Sequence, residues 1–151
     1  MNLFVDTNII IDYLDERPGF AGSARKLMLL GFLREFDLWM SSSQVTDMFY
    51  ILTNGGHPSK AEGVKASIRE VRKFVRVCSL GEADIDAALD STWSDFEDAC
   101  VYQCARKIRA DAIITRNKKD FEKSSIKVFD CDEWFSYLAQ SKGLTYEEIP
   151  F

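Results

Sequence analysis

The sequence predicts an α/β domain: a mostly parallel sheet of about five strands lying between two layers of helices, a three-layer α/β/α sandwich. Three observations point there. Short apolar runs, each ending in a polar turn, recur along the chain at Leu3-Phe4-Val5, Leu38-Trp39-Met40, Val75 with Val77, Ala112-Ile113-Ile114 and Ile126 to Phe129. Between them lie segments whose apolar residues repeat at helical spacing. The 151 residues are enough for one domain of ordinary size and too few for two well-developed ones. Alternating strands and helices give a parallel sheet covered on both faces.

Leu3-Phe4-Val5 is a strand running into Asp6, and Thr7-Asn8 is placed to cap a helix through Ile9-Ile10-Ile11 that Pro18-Gly19 ends. Phe20, Ala24, Leu27, Met28 and Leu30 mark a second helix. Leu38 to Met40 forms the second strand, with Ser41-Ser42-Ser43 as the next cap. The following helix turns Val45, Met48, Phe49 and Leu52 inward, carries Asp47 in its first turns and stops at Asn54-Gly55-Gly56.

Ser59 with Glu62, and Ser94 with Glu97, have the spacing of capping boxes. The first would open a helix with Val64, Ile68 and Val71 on one face, leading to the strand at Val75 and Val77. A short helix around Ile85, Ala88 and Leu89 follows. The second box would open a helix presenting Asp95, Asp98 and Tyr102 along one side. Ala112 to Ile114 reads as a buried parallel strand ending at Thr115-Arg116-Asn117, and a last helix holds Trp134, Phe135 and Leu138.

Hydrophobic residues make up 46% and charged residues 28% of the chain, a balance that excludes intrinsic disorder as the native state. No apolar run reaches the ~20 residues that span a bilayer, and Met-Asn-Leu-Phe-Val-Asp lacks signal-peptide character, so the expected location is cytoplasmic and no membrane partner is expected. Cys78, Cys100, Cys104 and Cys131 contain no Cys-x-x-Cys, and His57 is the one histidine; reduced core thiols fit better than zinc. The net charge of −5 conceals segregation. Arg106, Lys107, Arg109, Arg116, Lys118, Lys119, Lys123 and Lys127 form a basic stretch that is either a solvated face or a phosphate-contacting one, while Glu82 to Asp98 is acidic.

Ligands of open parallel sheets bind at the carboxyl ends of the strands, which here are Asp6, the start of the Asp47 helix and Thr115 to Asn117. Asp98 joins that edge if its helix begins there. Carboxylates gathered within ~6 Å repel by roughly 3 kcal/mol per pair at an effective dielectric of about 20, so they need protons or a cation. Oxygen-only donors favour Mg²⁺ or Mn²⁺, and such an ion suits phosphodiester hydrolysis. Helix dipoles alone would also favour Asp47, Asp95 and Asp98 near helix starts, and Asn8 could serve purely as a cap. A strand running straight into Asp6 gains nothing evident for folding.

Phe4-Val5-Asp6-Thr7-Asn8-Ile9-Ile10-Ile11-Asp12 resembles the opening motif of PIN domains. Thr46-Asp47-Met48-Phe49-Tyr50, Asp95-Phe96-Glu97-Asp98-Ala99 and Ile114-Thr115-Arg116-Asn117-Lys118-Lys119-Asp120-Phe121 resemble the second, third and fourth motifs in order. The resemblance implies a PIN-like nuclease domain over residues 1–140 with a C-terminal tail at 141–151. It implies catalytic residues Asp6, Asp47, Asp98 and Asn117, with Asn8, Asp95 and Thr115 supporting. Asp6 and Asp98 would hold Mg²⁺ or Mn²⁺, helped by Asp47. Two positions depart from the family pattern: Asp47 stands where Glu is frequent, and Asn117 where Asp is frequent. The neutral amide adds no charge, which leaves Asp95 or Asp120 to compensate, Asp95 first because it shares the Asp98 face.

Small bacterial members similar to the VapC toxins are endoribonucleases held inactive by an antitoxin and commonly homodimeric, so RNA, an antitoxin and a second copy are the implied partners. Two other classes compete: a non-catalytic PIN-like binding module, and a phosphoryl-handling domain of receiver or phosphatase type. The phosphatase pattern wants an acid at position 8, where this chain has Asn8.

Overall fold

The computed structural model describes residues 1–147. Five strands, β1 (Asn2–Val5), β2 (Asp37–Ser41), β3 (Val75–Cys78), β4 (Ala112–Ile114) and β5 (Lys127–Phe129), form one sheet in the order β3-β2-β1-β4-β5, every pair parallel. The helices are α1 (Thr7–Leu14), α2 (Ala21–Phe32), α3 (Ser42–Leu52), α4 (Ala61–Val71), α5 (Glu82–Asp90), α6 (Phe96–Lys107) and α7 (Cys131–Lys142). The expected three-layer α/β/α sandwich is the observed one.

Strand alternation divides the core in two. Leu3 and Val5 of β1, Leu38 and Met40 of β2, and Ala112 and Ile114 of β4 meet Ile9 to Ile11 of α1, Leu27 and Met28 of α2 and Trp134 of α7. Phe4 and Ile113 point the other way, against Val101, Cys104 and Ala105 of α6. β1 is therefore apolar on both faces, as a central parallel strand must be. All four cysteines are buried and free. Among the described residues, no helix is long and apolar enough to cross a membrane.

Three predicted caps are corrected by the structure. Asp6, not Thr7 or Asn8, caps α1. Ser59 and Glu62 form no box, because Pro58–Lys60 makes a 3₁₀ turn running straight into α4, which has no side-chain cap. Asp95 rather than Ser94 caps α6, its Oδ1 accepting from the Asp98 backbone N–H at 3.0 Å. In each case a nearby acid or a proline outcompeted the weaker hydroxyl cap. The short helix expected around Ile85, Ala88 and Leu89 is α5, on which only Ala88 is buried while Ile85 and Leu89 are exposed.

At the chain's end α7 continues to Lys142 and closes on Gly143 in the left-handed conformation. Tyr146, in the segment read as a tail, packs edge-on against Phe36 at 5.7 Å. Residues 148–151 of that segment lie outside the described residues.

One helix approaches the sheet too closely for any side chain. A Cβ on Gly31 of α2 would sit 2.3 Å from Leu38 Cδ1 and 2.8 Å from its Cγ, and Leu38 is fully buried with no room to turn. Gly31→Ala is expected to destabilise the protein by roughly 1–3 kcal/mol despite the better helix propensity of alanine, at about 2–4 °C of Tm per kcal/mol. Thermal unfolding followed by circular dichroism tests this; an unchanged or higher Tm would refute the close-packing account.

Candidate active site

The strand order reverses direction at β1: the chain winds outward to β2 and β3, then returns to β4 on the other side. The crevice at such a reversal, at the carboxyl ends of β1 and β4, is where open α/β sheets bind ligands. Val5 and Ile114 are register partners there, so the next residues, Asp6 and Thr115, emerge side by side. The Asp6 N–H continues the ladder to the Ile114 carbonyl at 2.9 Å.

Asp6 is buried, and its carboxylate is fixed on every side. Oδ1 accepts from the Thr7 N–H at 2.8 Å. Oδ2 accepts from Thr115 Oγ1 at 2.7 Å and from Asn8 Nδ2 at 3.2 Å. Burial pushes its pKa up, while the Thr115 and Thr7 hydrogen bonds pull it back and Asp120 and Asp95 push it further up. Asn8 also accepts from the Arg116 N–H at 3.3 Å, binding the two loops together.

The second carboxylate arrives on α3. Ser41 and Gln44 form the capping box of this helix, and the fully buried Gln44 reaches across to donate to the Val5 carbonyl at 2.9 Å and to Thr7 Oγ1 at 3.2 Å. The start of α3 is thereby fastened to the end of β1, and Asp47, three residues after Gln44, projects from the same face. Gln44 was not singled out in the sequence, although its position three residues after Ser41 carries the box signature.

The third group comes from α6. Asp98 is pushed up to about 7, first by burial and then by Asp95, Asp6, Asp120 and Glu97. Glu97 is likewise pushed up to about 7, by burial and then by Asp47, with which it shares a hydrogen bond, with Asp95 and Asp6 adding to the effect. The charges of Asp47, Asp95 and Asp120 thus reach Asp6, Glu97 or Asp98, although the six acids come from four separate places in the sequence. Glu97 was read only as a capping residue; its neighbour Asp98 in the third motif was the better signal for this acid's setting.

Asn117 is placed differently from the acids. Its N–H donates to Thr115 Oγ1 at 3.0 Å, while its side chain is exposed and lines a neighbouring cavity with Arg116. Both acids named to offset its missing charge, Asp95 and Asp120, act on Asp6 and Asp98.

Sequence reading also missed Asp12. It is 1% exposed and grips Arg116 through two hydrogen bonds, Nε to Oδ2 at 2.7 Å and Nη2 to Oδ1 at 3.1 Å. This bidentate pair joins α1 to the β4 loop and keeps Thr115 beside Asp6. Its one sequence signal was an acid directly after three isoleucines on a face that must be buried.

Among the described residues, no group of three or more His, Cys, Asp and Glu is placed to hold a metal ion by itself. The donors are oxygens in an open arrangement. That chemistry fits a hard divalent cation held by one or two carboxylates with water and substrate completing its shell, and does not fit zinc.

A sequence profile of the family described as PIN domain matches residues 2–119. The chain belongs to the PIN domain family. It is 30% identical over 139 residues to Ribonuclease VapC1 of Aquifex aeolicus strain VF5, covering 87% of this chain and 92% of that protein. Its fold is similar to VapBC2 of Rickettsia felis bound to a promoter DNA fragment, with a TM-score of 0.63 at 14% identity over 86% of this chain and 98% of that one. It is also similar to VapC20 of Mycobacterium tuberculosis, a toxin cleaving the sarcin-ricin loop, with a TM-score of 0.56 at 19% identity over 74% of this chain and 86% of that one.

Asp98 and Glu97 hold their protons in the folded chain to a pH near 7, where the unfolded chain has lost them. Folding is therefore least opposed below about pH 4 and loses stability as the pH rises to about 7. Both groups are partly solvated, so screening reduces the expected loss to roughly 1–2 kcal/mol. In urea titrations without divalent cations, stability should fall between pH 5 and pH 8, and Asp98→Asn should flatten the fall. A parent stability that rises over that range would contradict the crowding of these acids.

Proposed function

We propose that this protein is a Mg²⁺- or Mn²⁺-dependent endoribonuclease that hydrolyses RNA phosphodiester bonds in the cytoplasm, acting as the toxin of a type II toxin-antitoxin pair. The observation that carries the nuclease reading is the buried carboxylate of Asp6 at the β1/β4 reversal, near enough to the other acids that burial and their charges push Asp6 and Asp98 up. Proximity of that kind is costly unless protons or a cation neutralise it. The similarity to Ribonuclease VapC1 supports RNA as the substrate.

On this reading Asp6 and Asp98 hold the cation directly and Asp47 holds it or its water. Bound there, a divalent ion orients the phosphodiester, lowers the pKa of the attacking water and offsets charge on the phosphoryl oxygens. The remaining residues set geometry. Thr115 and Asn8 fix the Asp6 carboxylate, and Gln44 anchors the helix that bears Asp47. Glu97 hydrogen-bonds Asp47, and Arg116 with Asp12 keeps the β4 loop in register. Asn117 donates through its backbone to Thr115 and so supports Asp6 indirectly.

The antitoxin half of the proposal is supported by the VapBC2 complex, whose fold this chain shares; the proposal adds that the protein is a homodimer.

Asp6→Asn and Asp98→Asn are each expected to lower RNA cleavage by at least about 100-fold, the scale on which loss of transition-state charge stabilisation is felt, with circular dichroism unchanged. Chelation with EDTA should stop the parent and added Mn²⁺ restore it. Cleavage by both folded variants at the parent's rate would refute the assignment.

A further inference from the structure

One residue past Thr115 the chain enters the wall of a second cavity, of about 290 Å³, between α1, the start of α2 and the start of α7. Its most conspicuous feature is Phe20. This ring precedes α2 and is 46% exposed, yet it is not loose: the Arg116 guanidinium lies 4.1 Å over it. Arg116 is in turn held by both oxygens of the buried Asp12. A flat aromatic-cationic wall is therefore preset beside the acid cluster and stays partly open.

The other polar groups decide what the cavity accepts. Asp130 and Asp132 contribute carboxylates, and Asn117 an exposed side-chain amide. Asp132 Oδ1 accepts from Ser23 Oγ at 2.6 Å; Asp130 Oδ1 caps α7 and its Oδ2 lies 3.9 Å from Lys118 Nζ, so Asp132 Oδ2 is the carboxylate oxygen offered to a ligand. The sole cation in the wall, Arg116, already has its charge matched by Asp12. A phosphate would meet the Asp132 carboxylate here and be repelled. A neutral flat ring whose edge offers N–H donors meets a stacking surface and acceptors.

We propose that this cavity seats one unpaired base of the RNA next to the scissile bond, stacked against the Phe20–Arg116 wall, and that guanine is preferred. Guanine carries two adjacent donors, N1–H and the exocyclic amine, which match a carboxylate, and its O6 accepts from the Asn117 amide. Adenine lacks the N1 donor, and the pyrimidines offer less stacking area. Unstacked bases held on aromatic or guanidinium planes and read along their edges are the usual basis of single-strand RNA specificity. The proposal rests on the nuclease reading for its place in the reaction, and it adds specificity residues: Phe20 for stacking, Asp132 and Asn117 for the base edge.

The test separates the two readings because one arm needs no cleavage. The full chain, with EDTA present, is titrated with guanosine, adenosine, cytidine and uridine, following backbone amide NMR shifts. Guanosine is expected to bind about ten-fold tighter than cytidine, and to shift Asn117. Phe20→Ala should weaken it roughly ten-fold, the loss expected when a stacking partner is removed. Phe20→Tyr should restore binding, and Asp132→Asn should abolish the preference for guanosine. The second arm maps cut sites of parent and Phe20→Ala on an RNA of mixed sequence. Phe20-dependent guanosine binding without RNA cleavage would uphold the base site and sink the nuclease reading. Equal affinities for the four nucleosides, or identical cut-site distributions for parent and Phe20→Ala, would overturn the base site while leaving the nuclease intact.

Discussion

Asp6 ends the central strand inside the protein, where loss of hydration would drive its carboxyl to keep a proton, and three hydrogen bonds hold it in place against that tendency. The rest of the site is arranged around this constraint. Thr115 must stand in register beside it, which requires β4 next to β1 and the Arg116–Asp12 pair to hold the β4 loop. Gln44 must bring α3 to the same strand end. Asp95 must start α6 where Asp98 can face Asp6. Each of these is a folding interaction, and together they bring acids to one place although mutual repulsion opposes it. A site that costs stability and is nonetheless built from buried, fully hydrogen-bonded supports has the pattern of function rather than of folding.

The charge distribution fits the same account. The basic stretch that the sequence left open between a solvated face and a phosphate contact is largely taken up internally. Lys107 pairs with Asp84, Lys118 with Glu133, Lys123 with the Thr92 carbonyl, Lys127 with the Tyr137 hydroxyl and Arg116 with Asp12. Three of these cations, Lys107, Lys118 and Arg116, neutralise acids, while Lys123 and Lys127 meet neutral oxygens, and the net charge is −5. On the proposed reading, attraction of RNA would depend on a cation at the acid cluster more than on a basic face.

Much of the fold was legible because parallel strands buried on both faces leave continuous apolar runs, and Leu3 to Val5 and Ala112 to Ile114 are such runs. The strand ends gave Asp6 and Thr115 directly. Cap residues were less legible: Thr7, Ser59 and Ser94 are good caps by type, but Asp6, Pro58 and Asp95 stood next to them and prevailed. Pairings across the fold were least legible. Asp12 with Arg116 and Glu97 with Asp47 join residues whose separation in sequence carries no local signal, and only the register of β1 on β4 or the docking of α6 brings them together. Asn117 was placed at the correct strand end, but whether its side chain faced the acids or the adjoining cavity depended on a loop conformation that residue type does not specify.

The central claim is that the acids around Asp6 form one cation site in which Asp98 and Glu97 hold protons up to a pH near 7 when the ion is absent. The most direct measurement is Mn²⁺ titration calorimetry at pH 6.5 in buffers of different ionisation enthalpy, which counts the protons released on binding. One Mn²⁺ should displace about one proton or more, falling toward zero above pH 8, with Asp98→Asn reducing the release. Absence of binding at millimolar Mn²⁺, or binding without proton release at pH 6.5, would contradict the account.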